Sequence, residues 1–437
     1  MRPLWPALAV TLAVTACTSP GSNDPFVGFG PNPQLPPPQT SLIPPIGVPD
    51  VVEWPAGVAP VAPPGFTVTR YAEKLQHPRW LLVLPNGDVL AAEAAGPPSK
   101  GGKTNSGIKG WVKKQLMKKV KSAVPSADRI TLLRDADGDG IAETRTVFAQ
   151  GLKSPFGMTL VGGTLYGANA DGVVSFPYQP GQTAVAGPGA AVFSLPGGPI
   201  NHHWTKNVVA SPDGSKLFAT VGSNSNIGEN GMQAEEGRAA IWEYDLAARR
   251  ARVFATGLRN PNGLDFDPAT GTMWTVVNER DEIGNDLPPD YLTSVREGGF
   301  YGWPYSYWGR IVDERVKPPR PDLAATALQP DYGLGAHTAS LGLTFYRGTA
   351  FPAQYRGGAF IGQHGSWNRQ PLSGYRVVFV PFANGRPQMP PQAFLTGFLN
   401  ADNEIQGRPV GVAVDGRGAL LVADDVGGIV WRVAAQQ

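Results

Sequence analysis

Residues 263–278 read GLDFDPATGTMWTVVN: an apolar strand, a turn built from Asp, Pro and Gly, and a second apolar strand. Proline presets one backbone angle and glycine or Asp accepts the others, so the segment is a hairpin by its turn chemistry. The same plan recurs in WLLVLPNGDVLAAE (80–93), PFGMTLVGGTLYGAN (155–169), NVVASPDGSKLFATVG (207–222), GLTFYRGTAFPAQYRGGAFIG (342–362) and GVAVDGRGALLVADD (411–425). The hairpins stand roughly 50 to 80 residues apart, and most lead into a further strand pair, such as IWEYDL (241–246) and RVFATGL (252–258). Four strands per repeat and six repeats predict an all-β, six-bladed β-propeller over residues 65–437. Phe66–Tyr71 is expected to pair with Ile429–Val433 and close the ring.

Composition agrees. The 437 residues include 55 Gly, 44 Pro and 11 Trp but only 16% charged residues, the profile of a turn-rich β protein. A net charge of +2 argues against nucleic acid as a partner. One cysteine allows no internal disulfide. No C-x-x-C-H motif marks a haem, and no dinucleotide fingerprint sits in a βαβ context.

Ahead of the repeats, residues 1–16 carry one arginine and an apolar run from Leu8 to Val14, too short to stay as a membrane span. They predict a signal peptide. The VTAC sequence resembles the lipobox of bacterial lipoproteins, which implies lipidation of Cys17, export, and a membrane anchor at the periplasmic face or cell surface. Residues 17–64, crowded with Pro and Gly, predict an extended tether without a packed core. Two insertions stand out. SGIKGWVKKQLMKKVKSA (106–123) predicts a basic amphipathic helix that caps its own domain or meets an acidic headgroup surface or a redox partner. DADGDGIAE (135–143) imitates the start of an EF-hand loop but has Thr146 where the bidentate glutamate belongs. A turn held by Asx-type bonds and a weak calcium site are both open.

Loops at the ends of propeller hairpins converge at one end of the channel, and the chemistry-bearing residues fall there. His202-His203 precede the third hairpin and Arg259-Asn260 the fourth. An oxygen-rich loop (Asn278, Glu279, Asp281, Glu282, Asn285, Asp286, Asp290) follows the fourth, as a hard cation requires. HGSWNR (364–369) follows the fifth, and Arg408 precedes the sixth. Arginines suit carboxylates through their planar fork, and a histidine near its working pKa suits proton abstraction. Tyr301, Trp303, Tyr305, Tyr307 and Trp308 suit either stacking on a ligand or packing of their own loop.

GLRNP, NERD, DLPPDYLT and GGFYGWP, in that order within 257–304, resemble the sorbosone-dehydrogenase-like branch of soluble quinoprotein sugar dehydrogenases. The resemblance extends over residues 66–435. It implies an oxidoreductase that passes hydride from a sugar or aldehyde to pyrroloquinoline quinone, with calcium as Lewis acid and an external electron acceptor. Carried over residue by residue, His203, nine residues before Pro212, would be the base, with His202 its rival. Arg259, Asn260 and Arg408 would bind the cofactor, with Arg369, Trp367 and His364 of the HGSWNR string beside them. Glu279 and Arg280, through their peptide carbonyls, and Asp281 and Asp286 would lie at the metal. Gln406 stands where the family has a late cation, and His202 where the glucose enzymes have an aspartate. A calcium-dependent lactonase and a non-enzymatic glycan- or protein-binding propeller are the alternatives, since fold alone does not separate them.

Overall fold

The computed structural model describes residues 20–39, 49–98 and 125–436. The expected signal peptide (1–16), the lipidation site Cys17 and the basic helix (106–123) lie outside these residues. Six antiparallel sheets, five of four strands and one of five, form the predicted propeller. The first blade comprises Pro78–Val83, Val89–Glu93, Arg129–Arg134 and Thr144–Gln150. The sixth comprises Pro409–Val414, Leu420–Asp424, Ile429–Ala435 and, from the other end of the domain, Phe66–Ala72. Phe66 lies opposite Ala435 and Val68 opposite Val433, so the ring closes as expected with one strand from each end. Among the described residues, helix amounts to one four-residue α-turn, Pro321–Ala324, and two 3-10 turns.

The first strand of each blade touches the first strand of the next, which makes these six strands the channel wall. The second strands of the blades, enclosed by their neighbours, are buried on both faces and so read as apolar runs rather than alternating ones. Val89–Glu93, Met273–Val277 and Leu420–Asp424 are buried at every position. Side chains from adjacent sheets fill the spaces between blades. The largest such cluster joins the fifth and sixth blades through Phe360, Phe379, Phe394, Phe398 and Trp431.

The segment expected to be an unpacked tether is, in its described parts, laid onto the propeller as a strap. Phe29–Gly30 adds a fifth strand to the fourth blade, beside Tyr332–Ala336. Trp54 enters the core between blades five and six, where its Nε1 donates to Asp424 at 2.8 Å. Proline favours extended backbone, and extended backbone can pair with an exposed sheet edge as readily as it can span solvent.

The DADGDGIAE loop is a turn held by Asx bonds. Asp135 accepts from the Gly138 and Gly140 amides, and Asp139 from Ile141. Its four carboxylates cluster, but the Arg417 guanidinium already reaches Asp135 and the Gly138 carbonyl.

Candidate active site

Two kinds of segment share one end of the channel: those that lead into a first strand, and those that leave a second strand. The turns between first and second strands sit at the opposite end. His202-His203 lead into Val208–Ala210, Arg259-Asn260 into Pro261–Phe266, and His337 into Ser340–Phe345. Asn278–Asp281 leave Met273–Val277, and Gly365–Asn368 leave Ala359–Gln363. Together these residues line one cavity with about 610 Å³ of empty space, part of it open solvent.

His203 is held by one face of its ring. Its Nδ1 lies 2.8 Å from the Ser223 carbonyl and 3.0 Å from Ser223 Oγ, whose own proton goes to the Ser225 carbonyl. A carbonyl only accepts, so Nδ1 carries the proton and Nε2 the lone pair. The His202 ring stands edge-on to it, centroids 4.6 Å apart. Gly222 makes this packing possible: a Cβ there would sit 2.3 Å from Asn260 Oδ1 and 2.6 Å from His203 Cβ. Beneath the pair, fully buried Lys206 donates to the His203 and Trp204 carbonyls, and burial lowers its pKa well below the ordinary value.

Arg259 braces the acidic loop. It donates to the Glu279 carbonyl at 2.6 Å, to the Asn278 carbonyl at 3.3 Å, and to Asn226 Oδ1 at 3.0 Å, with Asp281 at 3.6 Å. Burial alone would raise Asp281. Hydrogen bonds from His337 and Asn368, together with Arg259, instead hold its carboxyl well below the usual range. Glu279 is pushed up to about 7 by burial, which its bond from the Arg280 amide and the nearby Arg259 only partly offset. Asp290, behind it, is raised by burial to about 6 despite amide donors from Glu279 and Ser340.

A hard cation fits this donor set. The buried Oδ1 atoms of Asn260 and Asn368 have no hydrogen-bond partner among the described residues, and both belong to cavity-lining side chains. With the Asp281 carboxylate they make three oxygens from three loops, of the kind calcium takes. Charge for an anionic cofactor is scarcer than expected, because only Arg259 of the three expected arginines lines the cavity.

The other two serve the scaffold. Arg369 turns away to Asn285, Asp286 and the Ser22 carbonyl. Arg408 donates to the His364 and Gly365 carbonyls and lies over the Tyr375 ring. His364 is likewise drawn under the cavity, with Nε2 3.0 Å from Asp425, which also binds Arg79. Of the expected metal set, Glu279 and Asp281 reach the cavity. The Arg280 side chain pairs with Asp313 at 2.6 Å, a contact that does not involve the peptide carbonyl expected at the metal, and Asp286 pairs with Arg369 and the Ser22 amide. Trp367 lines the cavity as expected. Tyr301, Trp303, Tyr307 and Trp308 are buried packing for their own loop.

The sequence reading did not place His337 at the site, yet it lines the cavity. Its Nε2 faces the Gly284 carbonyl at 2.8 Å and its Nδ1 the Asp281 carboxylate at 3.4 Å. The available signal was positional: like the His202-His203 pair and Arg259-Asn260, it comes just before a first strand.

A family profile described as TrAA12-like matches residues 127–292 and 323–436, well over half of the chain. An uncharacterized protein of Borreliella burgdorferi is 31% identical over 242 residues, 55% of this chain and 62% of that one. A pyrroloquinoline quinone-dependent pyranose dehydrogenase of Coprinopsis cinerea is 28% identical over 295 residues, 53% of this chain and 39% of that one. The chain thus spans less than two thirds of the length of these curated relatives. Among solved structures, a Trichoderma reesei carbohydrate-active enzyme of family AA12 superposes with a TM-score of 0.68 at 20% identity, over 86% of this chain and 98% of that one. The holo pyranose dehydrogenase PQQ domain of C. cinerea gives 0.66 at 22%, over 86% and 97%. These two likenesses establish the shared fold.

Proposed function

The chain belongs to the TrAA12-like family, and on that premise we propose that its cavity oxidises a sugar or related aldehyde with pyrroloquinoline quinone and calcium. The observation that carries this reading is the convergence, in one cavity, of an oriented histidine with the Arg259-Asn260 pair and three oxygens suited to a cation. When bound, the cofactor supplies an electron-poor ring that accepts hydride, and calcium polarises it.

The residues of this chain do the rest. His203, with its proton fixed on Nδ1, takes the substrate hydroxyl proton at Nε2 as hydride departs. His202 lines the wall beside it and remains a positioning candidate for the same hydroxyl. Arg259 and Asn260 face the cofactor, and Trp367 offers a flat wall. Asp281, Asn260 Oδ1 and Asn368 Oδ1 would hold the cation, with Glu279 beside them. An external electron acceptor would complete the turnover. Cys17 carries a lipid that anchors the exported protein to a membrane.

Three converging arginines would have pointed to a polyanionic cofactor rather than to a lactonase; with Arg369 and Arg408 turned to the scaffold, family membership bears that choice. The test is titration of the purified protein with pyrroloquinoline quinone, with and without calcium, across an aldose panel. Stoichiometric calcium-dependent binding and sugar-driven reduction are expected. No binding at all overturns the reading and turns attention to lactones.

A further inference from the structure

The connection that leaves the strand Lys216–Val221 passes behind the cavity wall. Its first part serves the histidine, since Ser223 accepts from His203 Nδ1. Three residues on, Asn226 is buried behind the residues that line the cavity. Two carboxylates fix the backbone here. Glu229 accepts from the Asn226 and Ile227 amides at 3.0 and 2.7 Å, and Glu235 from the Asn224 amide at 2.6 Å.

The Asn226 side chain bonds both charged residues of the cation site. Its Oδ1 accepts from the Asp281 amide at 2.9 Å and from Arg259 Nη2 at 3.0 Å, and its Nδ2 donates to the Asp281 carbonyl at 3.3 Å. Two N–H donors meet one atom, so that atom is the oxygen and the orientation of the amide follows. The Asn226 carbonyl takes Arg259 Nε at 3.3 Å and Trp303 Nε1 at 2.9 Å. The consequence falls on Asp281. Asn368 Nδ2 and His337 Nδ1 lie 3.0 and 3.4 Å from its Oδ1. Arg259 Nη2, turned to Asn226, stands 3.6 Å from Oδ2, beyond hydrogen-bond range. A guanidinium released from Asn226 would need to move by less than about 1 Å to close on that oxygen as a charge-assisted pair.

We propose that Asn226 is a positioning residue for the cation: it holds the Arg259 guanidinium off Asp281 and keeps one carboxylate oxygen open to calcium. The proposal deepens the cation reading of the cavity and rests on it. An arginine and a calcium ion compete for the same carboxylate oxygen. Loss of a partner that orients such a ligand typically lowers metal affinity by about 10- to 100-fold.

Calorimetric titration of the purified protein with calcium, in the absence of quinone, reads the affinity directly. Asp137→Asn and Asp139→Asn are carried by every chain compared, the reference included, so that the exposed carboxylates of the 135–143 turn do not take the ion. Asn226→Ala should bind calcium about 10- to 100-fold more weakly than the reference. Arg259→Gln removes the competitor, and on that background Asn226→Ala should cost about threefold or less. Equal losses on the two backgrounds would make Asn226 only a brace of its loop and overturn the proposal, as would unchanged binding in Asn226→Ala alone. If Asn226→Ala does not unfold cooperatively in urea, Asn226→Asp decides, because it keeps the acceptor for Arg259. Affinity within about threefold of the reference, or tighter, then upholds the proposal, and a loss of about tenfold or more overturns it. A reference chain that takes up no calcium overturns the cation reading itself, and the proposal with it.

Discussion

His364, drawn beneath the cavity by Asp425, makes acid stability measurable at one side chain. Burial, with Arg408 adding repulsion, lowers its pKa to about 4 against the pull of Asp425, whereas the unfolded chain has the ordinary 6.5. The neutral imidazole donates from Nε2 to Asp425. Above pH 6.5 both states are neutral at this position, and the group contributes its full share. As pH falls, the unfolded chain gains a proton that the folded protein refuses, so stability is lost between about 6.5 and 4. The linkage relation gives a loss near 2 kcal/mol at pH 5 and about 3 kcal/mol at pH 4, relative to pH 7, to order of magnitude. His364→Gln keeps a donor in the position of Nε2 but cannot titrate. The assay is urea unfolding of both proteins at pH 7, 5 and 4, taking the difference so that titrations common to both cancel. The gap should narrow by about 2 to 3 kcal/mol towards pH 4, because the wild type declines faster. Parallel curves would refute the reasoning, as would a variant that declines faster than the wild type.

Replacing His203 by Gln should cut turnover by about 10² to 10⁴ while quinone binding is retained; equal loss of both would make His203 a structural residue. Asp424 accepts from the amides of Arg408 and Gly427 and from the indoles of Trp54 and Trp431. Asp424→Ala strands four buried donors and should cost at least about 3 kcal/mol in urea unfolding, and a cost below about 1 would mean the donors find other partners. Arg369→Ala should destabilise the protein by about 3 kcal/mol and speed proteolysis within residues 20–39, since it leaves Asp286 half-buried without its cation. Unchanged cleavage there would show that Phe29–Gly30 pairing alone holds the strap.

The ring was legible because a propeller writes itself as a repeat. Each blade repeats an apolar strand, a turn with fixed chemistry and another apolar strand, and no neighbour in space can alter that signal. The residues opening the first strands were legible for the same reason, and His202, His203, Arg259 and Asn260 meet as the spacing implied. Side chains within the longer loops were not. His364, Trp367 and Arg369 share one six-residue string, yet one points below the cavity, one into it and one towards Ser22. Loop direction depends on backbone angles that composition does not encode. His337 has a left-handed φ of 58°, uncommon outside glycine, and that angle goes with its pairing to Asp281. The strap was misread because proline content reports backbone extension and is silent about docking.

The hold of Arg369 and Asp286 on Ser22, at the start of the docked segment 20–39, also has a mechanical consequence. A closed ring is weakest at its seam, where Phe66–Ala72 is held to Ile429–Ala435 by backbone bonds and side-chain packing. Tension entering through residue 66 would load that seam directly. Tension entering through the N-terminus meets Arg369, Asp286 and the Phe29–Gly30 pairing first, and passes into the fourth and fifth blades instead. The strap works as a strain relief, like the clamp on a cable ahead of its connector. Pulled from its N-terminus, the protein should therefore shed the strap as a separate, low-force event before the ring opens.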